Sequence, residues 1–314
     1  MPDPSMATTR ASQIGGTLQF HATLRPMRLK TRLLIATLVA TAAACATPPP
    51  AARLPTAGPG VHVLAQRLAM PGLGRDRTLR LYLPPSYDSA PARRYPVIYM
   101  HDAQNLFDDA TSFAGEWGVD ETLDAFARTR GFEAIVVGID NGGDERIHEL
   151  SPWTNPKYGP AAGEQYMAFV VDTVKPFIDA RYRTQPGRDS TAIAGSSMGG
   201  LISHYALLRY PQVFGKAAIF SPSYWFAPEV YTQTAAHPWP AATRTYFYIG
   251  GREGDESVPD LERMIPLLAT PDHALRDVTV HIVPGNEHNE RAWRAEFPLA
   301  VAWLFEVHPL DAKP

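Results

Sequence analysis

The stretch Ile193-Ala194-Gly195-Ser196-Ser197-Met198-Gly199-Gly200 constrains the fold of this chain more than any other. Thr191 to Ala194 reads as a buried strand, and a helix follows from Leu201 to Tyr210. Between them, Gly195-Ser196-Ser197-Met198-Gly199 fits the pattern G-x-S-x-G, in which a serine stands on a sharp, strained strand-to-helix turn. Bulky residues flanking such a turn would clash, and glycine removes that obstacle. The helix start points free N–H groups at the space beside Ser197 and so favours negative charge there. A five-residue pattern occurs by chance, so its weight depends on what surrounds it.

The surroundings alternate strand and helix. Val61 to Ala69 and Thr78 to Leu83 alternate apolar and polar residues, as antiparallel strands at one sheet edge do. Tyr95 to Met100, Ala134 to Ile139, Thr191 to Ala194, Ala217 to Phe220, Thr245 to Ile249 and Val278 to Val283 are short apolar runs expected of strands covered on both faces. Helical spacing appears over Val119–Arg128, Glu164–Ile178, Leu261–Leu268 and Ala292–Val307. This order predicts an α/β fold: a single domain with a mostly parallel sheet, helices on both faces and right-handed crossovers. No internal repeat and no second linker divides it.

The N-terminal residues have a different character. Arg28, Lys30 and Arg32 precede an apolar run, Leu33 to Ala44, that is too short to span a bilayer comfortably. It ends at Ala42-Ala43-Ala44-Cys45, and Cys45 is the only cysteine of the chain. Residues 1–45 are expected to be an export leader, with Met27 as a candidate true start. Small residues before a cysteine resemble a bacterial lipobox, although Ala42 stands where a larger aliphatic residue is usual. Cys45 is thus a candidate for lipidation and membrane attachment, in a periplasmic or membrane-anchored bacterial protein; simple cleavage near Ala42–Ala44 is the alternative. Residues 46–60, rich in Pro, Gly and Ala, read as a tether, which leaves 61–314 as the folded domain. The leader holds five of the 29 Lys and Arg but one of the 32 Asp and Glu, so the remainder carries a net charge of −7. Such a body argues against a nucleic-acid partner.

A serine hydroxyl needs a base within hydrogen-bond reach and a third group to orient that base. After Ser197 come acidic residues just past the strand ending at Ile249, then His288 just past the strand ending at Val283. Serine, acid and histidine in this order, each at a strand end, are the arrangement of α/β-hydrolases. Among Glu253, Asp255, Glu256 and Asp260, position favours Glu253, with Asp255 as runner-up. Of the ten histidines, His101 is the main rival to His288, but it precedes the serine. His204 follows the elbow on its helix and reads as packed or surface; His281 lies inside a strand; His148 sits in a loop that could touch a substrate. Two N–H donors must face the developing oxyanion. Met198 is one, and Gln104, or else Ala103, in the loop after Met100 is the other.

Together with the elbow, His101-Asp102-Ala103-Gln104-Asn105-Leu106-Phe107-Asp108, Glu116-Trp117-Gly118-Val119-Asp120, Gly138-Ile139-Asp140-Asn141 with Arg146 and Glu149-Leu150, Ser221-Pro222-Ser223-Tyr224-Trp225 and Gly285 to Trp293 resemble the Putative esterase family. That family takes in esterase D-like, feruloyl esterase-like and enterobactin esterase-like α/β-hydrolases. The resemblance runs from about residue 76 to 306. It implies a serine carboxylesterase with the triad above, no cofactor and no metal, acting on a small-molecule ester through an acyl-enzyme. One departure is Ala103, where glycine is usual; a methyl fits there if φ is negative. An acyltransferase on the same fold, or an inactive binding module, is the alternative. Trp117, Asn141, Tyr224 and Trp225 flank the catalytic loops as candidate substrate contacts, as does Trp293, although packing of the pocket wall would equally explain the aromatic residues. Arg146 reads as the structural partner of Glu149 or Asp140, with binding of a substrate anion as the alternative. Neither the natural substrate nor the oligomeric state follows from the sequence.

Overall fold

The structure, a computed structural model, describes residues 53–268 and 277–310. The expectations placed on Met27, Leu33–Ala44 and Cys45 fall outside these residues.

An eight-stranded sheet carries the fold, in the order β1-β4-β6-β5-β7-β8-β9-β10. Its members are β1 (Val61–Val63), β4 (Leu79–Tyr82), β5 (Val97–His101), β6 (Ile135–Ile139), β7 (Thr191–Ser196), β8 (Lys216–Phe220), β9 (Arg244–Gly250) and β10 (Val278–Val283). The first two pair antiparallel, and β4 joins β6 antiparallel; from β6 to β10 every pairing is parallel. A separate hairpin pairs β2 (Leu68–Met70) with β3 (Arg75–Arg77). Strand β3 is too short and too charged to show a pattern in the sequence.

The two-residue period of each strand supplies two cores. Val97 and Tyr99 of β5 join one core with Val137, Ile193, Ile219 and Phe247. Ile98 and Met100 join the other with Val136, Ala194, Phe220 and Tyr248. Helices α1 (Val119–Arg130) and α8 (Glu290–Phe305) cover the second core. The first is covered by α3 (Gly163–Phe169), α5 (Met198–Arg209), α6 (Glu229–Ala236) and α7 (Ser257–Leu268). A short α2 spans Arg146–Glu149. The predicted helix over 164–178 is α3, then a π-helical turn at Val170–Val174, then α4 (Lys175–Arg181). Pro176, in the first turn of α4, explains the break: it cannot donate to the turn before it, and the wider turn relieves its ring's clash.

Because β5 and β7 to β10 are parallel, the loops that follow them emerge at one sheet edge, where α/β folds place ligands. That edge gathers the segments after His101, Ser196, Phe220, Gly250 and Val283.

Residues 53–60, expected to be part of a tether, instead hydrogen-bond to the domain. The Thr56 N–H donates to Asp108 at 3.0 Å, Thr56 Oγ1 to Glu116 at 2.9 Å, and the Gly58 N–H to Asp120 at 2.7 Å. The segment has no hydrophobic period, so composition hid an order that rests on polar bonds to three carboxylates. Asp120 is buried, and burial pushes its carboxyl upward, to about 7, against the lowering effect of the Gly58 N–H; nearby Glu121 adds to the rise. An acid whose folded pKa lies above its unfolded value stabilises the fold when protonated, and that contribution fades as pH rises from about 4 to about 7. Asp120→Asn keeps an acceptor for Gly58 and removes the titration. Its melting temperature relative to wild type should therefore climb between pH 4 and pH 7; an unchanging difference would remove Asp120 as the cause.

Candidate active site

Ser197 follows β7 directly and stands at the N-cap of α5, with φ 60° and ψ −122°. A non-glycine residue there stores about 1–3 kcal/mol of strain and persists only where its neighbours impose it. They do. The Ser197 N–H donates to Phe220 O at 3.0 Å, and Ser197 O accepts from the Ser223 N–H at 3.1 Å. A Cβ on Gly195 would lie 2.9 Å from the Gly199 carbonyl, and one on Gly200 would lie 2.7 Å from Phe220 O. The side chain makes no capping bond and rests with Oγ 3.2 Å from Ser223 Oγ. Met198, first residue of α5, has an N–H without an intrahelical acceptor.

Glu253 and His288 meet across two loops. His288 Nδ1 is 2.8 Å from Glu253 Oε2, and the Glu253 side chain is 1 % exposed. The other carboxylate oxygen accepts from Ser221 Oγ and from the Gly250 N–H, both at 2.6 Å. An ionised carboxylate only accepts, which assigns the proton to Nδ1 of His288 and leaves Nε2 as its lone-pair nitrogen. Asp255 and Glu256 are exposed, and Asp260 accepts from the Tyr231 hydroxyl. Ser197, Ser221, Pro222, Ser223, Trp225, Ile249, Glu253, Ser257 and His288 line one cavity of about 330 Å³. Ser221 and Ser223 had no role assigned from sequence. The available signal was their position just after β8, at the same edge as the other loops.

The loop after β5 packs on the elbow: a Cβ on Gly199 would lie 3.4 Å from both His101 Cβ and Asp102 Oδ2. Its left-handed residue is Asp102 (φ 57°), and Ala103, where glycine is usual, has no positive φ. Gln104 and Asn141 bond each other, with the Asn141 N–H donating to Gln104 Oε1 at 3.0 Å. Asn141 Nδ2 donates to Asp102 at 2.8 Å, so this side chain braces the loop. Arg146 departs from expectation. Its partner is Asp102, at 2.6 and 2.8 Å, because Asp140 is taken by Arg80 and Glu149 by Arg77 and Arg75. Burial pushes Asp102 up, but Arg146, with Asn141 and His101, outweighs it and holds the carboxyl below its usual range.

Three of the expected aromatic substrate contacts, Trp117, Tyr224 and Trp293, lie in the core instead. Trp117 packs edge-on to Phe220 and against Trp293 and Phe297, and is 3 % exposed. Tyr224, 1 % exposed, has its hydroxyl 2.7 Å from His204 Nδ1. Their apolar rings gain more from the sheet face than a position beside a loop suggested. Trp225 is different: it is 57 % exposed and lines the cavity. His101 is buried with Nδ1 2.7 Å from the Tyr166 hydroxyl, and burial pushes its pKa down to about 4. His204 joins Tyr224 to Thr234, and burial pushes it down to about 3. His281 pairs with Glu296, which also accepts from the Tyr246 hydroxyl. None of these three lines the cavity that holds Ser197. Among the described residues, no group of three or more His, Cys, Asp or Glu could hold a metal ion.

A strained serine on a strand-to-helix turn, over a mostly parallel sheet with a carboxylate-bound histidine at the same edge, defines an α/β-hydrolase type of chain. The model of the family described as Putative esterase matches residues 71–304. The chain belongs to that family, and carboxylic ester hydrolysis is its chemistry. It is 26% identical over 243 residues to the uncharacterized protein YbbA of Bacillus subtilis, covering 73% of this chain and 93% of that one. It is 24% identical over 227 residues to an endo-1,4-beta-xylanase/feruloyl esterase of Xylanibacter ruminicola, covering 70% of this chain but 28% of that protein. The enterobactin esterase FES of Shigella flexneri superposes with a TM-score of 0.65 at 19% identity, over 80% of this chain and 61% of that one.

The Arg146–Asp102 pair yields a prediction. Asp102 has a side chain 9% exposed, so removing its guanidinium strands a charge. Arg146→Met should cost about 3–5 kcal/mol in chemical denaturation. Adding Asp102→Asn, which tolerates the left-handed backbone, should restore part of the loss. If the double variant is no more stable than the single one, the pair is not what holds this loop.

Proposed function

We propose that this esterase is a serine carboxylesterase working through an acyl-enzyme. The observation that carries the reading is the shared cavity: Ser197, held at a strained elbow, lines it together with His288, whose Nδ1 is fixed on Glu253. For attack, Ser197 Oγ leaves Ser223 Oγ and passes its proton to His288 Nε2 as it bonds to the ester carbonyl carbon. Glu253 steadies the imidazolium so formed. The N–H groups of Met198 and Gln104 bind the oxyanion. The tetrahedral adduct collapses, the alcohol leaves with the proton from His288, and water repeats the sequence on the acyl-serine.

Purified protein should hydrolyse p-nitrophenyl acetate, and Ser197→Ala should lower kcat/KM by at least about a thousandfold. A fluorophosphonate probe should label Ser197 in the wild type. Retained activity within tenfold of wild type would sink the reading. Glu253→Ala should be far more damaging than Asp255→Ala; the reverse would reassign the acid.

The substrate is a small ester, and Trp225 supports one with an aromatic group. Its ring projects beside the cavity, backed by Tyr158 at 6.1 Å, which itself stacks on Phe226 at 5.3 Å. Stacking of this kind contributes about 0.5–1.5 kcal/mol. Trp225→Ala should therefore raise KM for methyl ferulate up to about tenfold while leaving KM for methyl butyrate within about twofold. Equal changes for both esters would deny Trp225 an aryl-binding role.

A further inference from the structure

We propose that Ser221 is a positioning residue that aims the Glu253 carboxylate at His288, with Trp293 fixing the sense of its hydroxyl. The proposal rests on the catalytic roles given to Ser197, Glu253 and His288 above.

Ser221 follows β8 with φ 45° and is 2 % exposed. That is left-handed backbone, which glycine adopts without penalty and other residues do not. A side chain at such a position calls for a use, and its contacts supply one. Ser221 Oγ lies 2.6 Å from Glu253 Oε1 and 2.9 Å from Trp293 Nε1. An indole N–H only donates and an ionised carboxylate only accepts. The hydroxyl must therefore accept from Trp293 and donate to Glu253. With the Gly250 N–H also on Oε1, that oxygen has two donors at 2.6 Å, and Oε2 is left for His288 Nδ1. The Ser221 N–H is itself anchored to Tyr248 O at 2.7 Å.

The chain of bonds thus runs from α8 through the β8 loop and the β9 loop to the β10 loop, and donors converge on the Glu253 carboxylate from both ends. Trp293 closes it, because its ring stands edge-on to His288 at 5.0 Å and 86°. Without the Ser221 hydroxyl, Glu253 keeps its charge but loses one of the two bonds that stop it turning. His288 then spends less time with Nδ1–H on the carboxylate and Nε2 free for Ser197. Binding of the ester is untouched, since the hydroxyl acts through Glu253 and not on the substrate.

The test is a double-mutant cycle on p-nitrophenyl acetate hydrolysis with Ser221→Gly and Glu253→Ala. Glycine suits φ 45°, so the turn is retained while the hydroxyl is lost. Ser221→Gly alone should lower kcat about 10- to 100-fold with KM within about threefold. In the Glu253→Ala background the same change should cost less than about twofold, because the group it acts through is gone. Ser221→Ala, run through the same cycle, gives the same comparison should the glycine variant not fold. Trp293→Phe, which removes the donor to Ser221 and keeps an aromatic ring beside His288, should lower kcat less than Ser221→Gly does. Unchanged kcat in both Ser221 variants would overturn the proposal, as would an equal loss with and without Glu253, or a loss carried by KM. Those results with Ser197→Ala still inactive and Glu253→Ala still strongly impaired would leave the esterase mechanism intact; full activity of Ser197→Ala would instead remove the mechanism itself.

Discussion

The arrangement depends on one backbone conformation, that of Ser197 at φ 60° and ψ −122°. Strain of a few kcal/mol is a large share of a domain's net stability, about 5–15 kcal/mol, so the neighbours must hold it. They do so by leaving no room. Gly195 and Gly200 pass backbone at distances a Cβ would violate, and the two hydrogen bonds between Ser197 and the Phe220–Ser223 segment fix the turn from the next strand. The sheet order follows the same need: β7 lies between β5 and β8, so the loops of both neighbours meet the elbow.

The two walls beside that elbow are held by different chemistry. On the β4–β6 side, arginine–carboxylate pairs do the bracing: Arg146 on Asp102, Arg80 on Asp140 and Arg77 on Glu149. On the β9–β10 side, Glu253 accepts from a serine hydroxyl, a backbone N–H and His288. An arginine on Glu253 would hold it more firmly but would neutralise the charge that the proposed mechanism offers to an imidazolium at His288. Neutral donors orient the carboxylate and leave its charge available.

Much of this was legible in the sequence, and the limits have physical causes. The buried strands show as apolar runs because both sheet faces are covered, and Ser197, Glu253 and His288 stand out because each follows such a run. Segments whose order comes from polar bonds carry no period. The 53–60 segment reads as a tether until its bonds to Asp108, Glu116 and Asp120 are seen. Proximity in sequence pairs Arg146 with Glu149 or Asp140, but topology places Asp102, across from it on the β5 loop, within reach. Trp117 and Tyr224 lie beside site loops in sequence, yet a residue's neighbours along the chain do not say which way its ring turns. The π-turn ahead of Pro176 interrupts a helix whose apolar stripe looks continuous.

The order in which the chain delivers its parts has a consequence for biosynthesis. The elbow is complete by about residue 210, but Glu253, His288 and Trp293 come much later, and Trp293 belongs to the last helix, α8. In the proposed mechanism, a nascent or truncated polypeptide therefore displays a serine with no partner to activate it. On that mechanism, competence arrives only when α8 docks on the second core, so hydrolytic capacity doubles as a report that the fold has closed around the site.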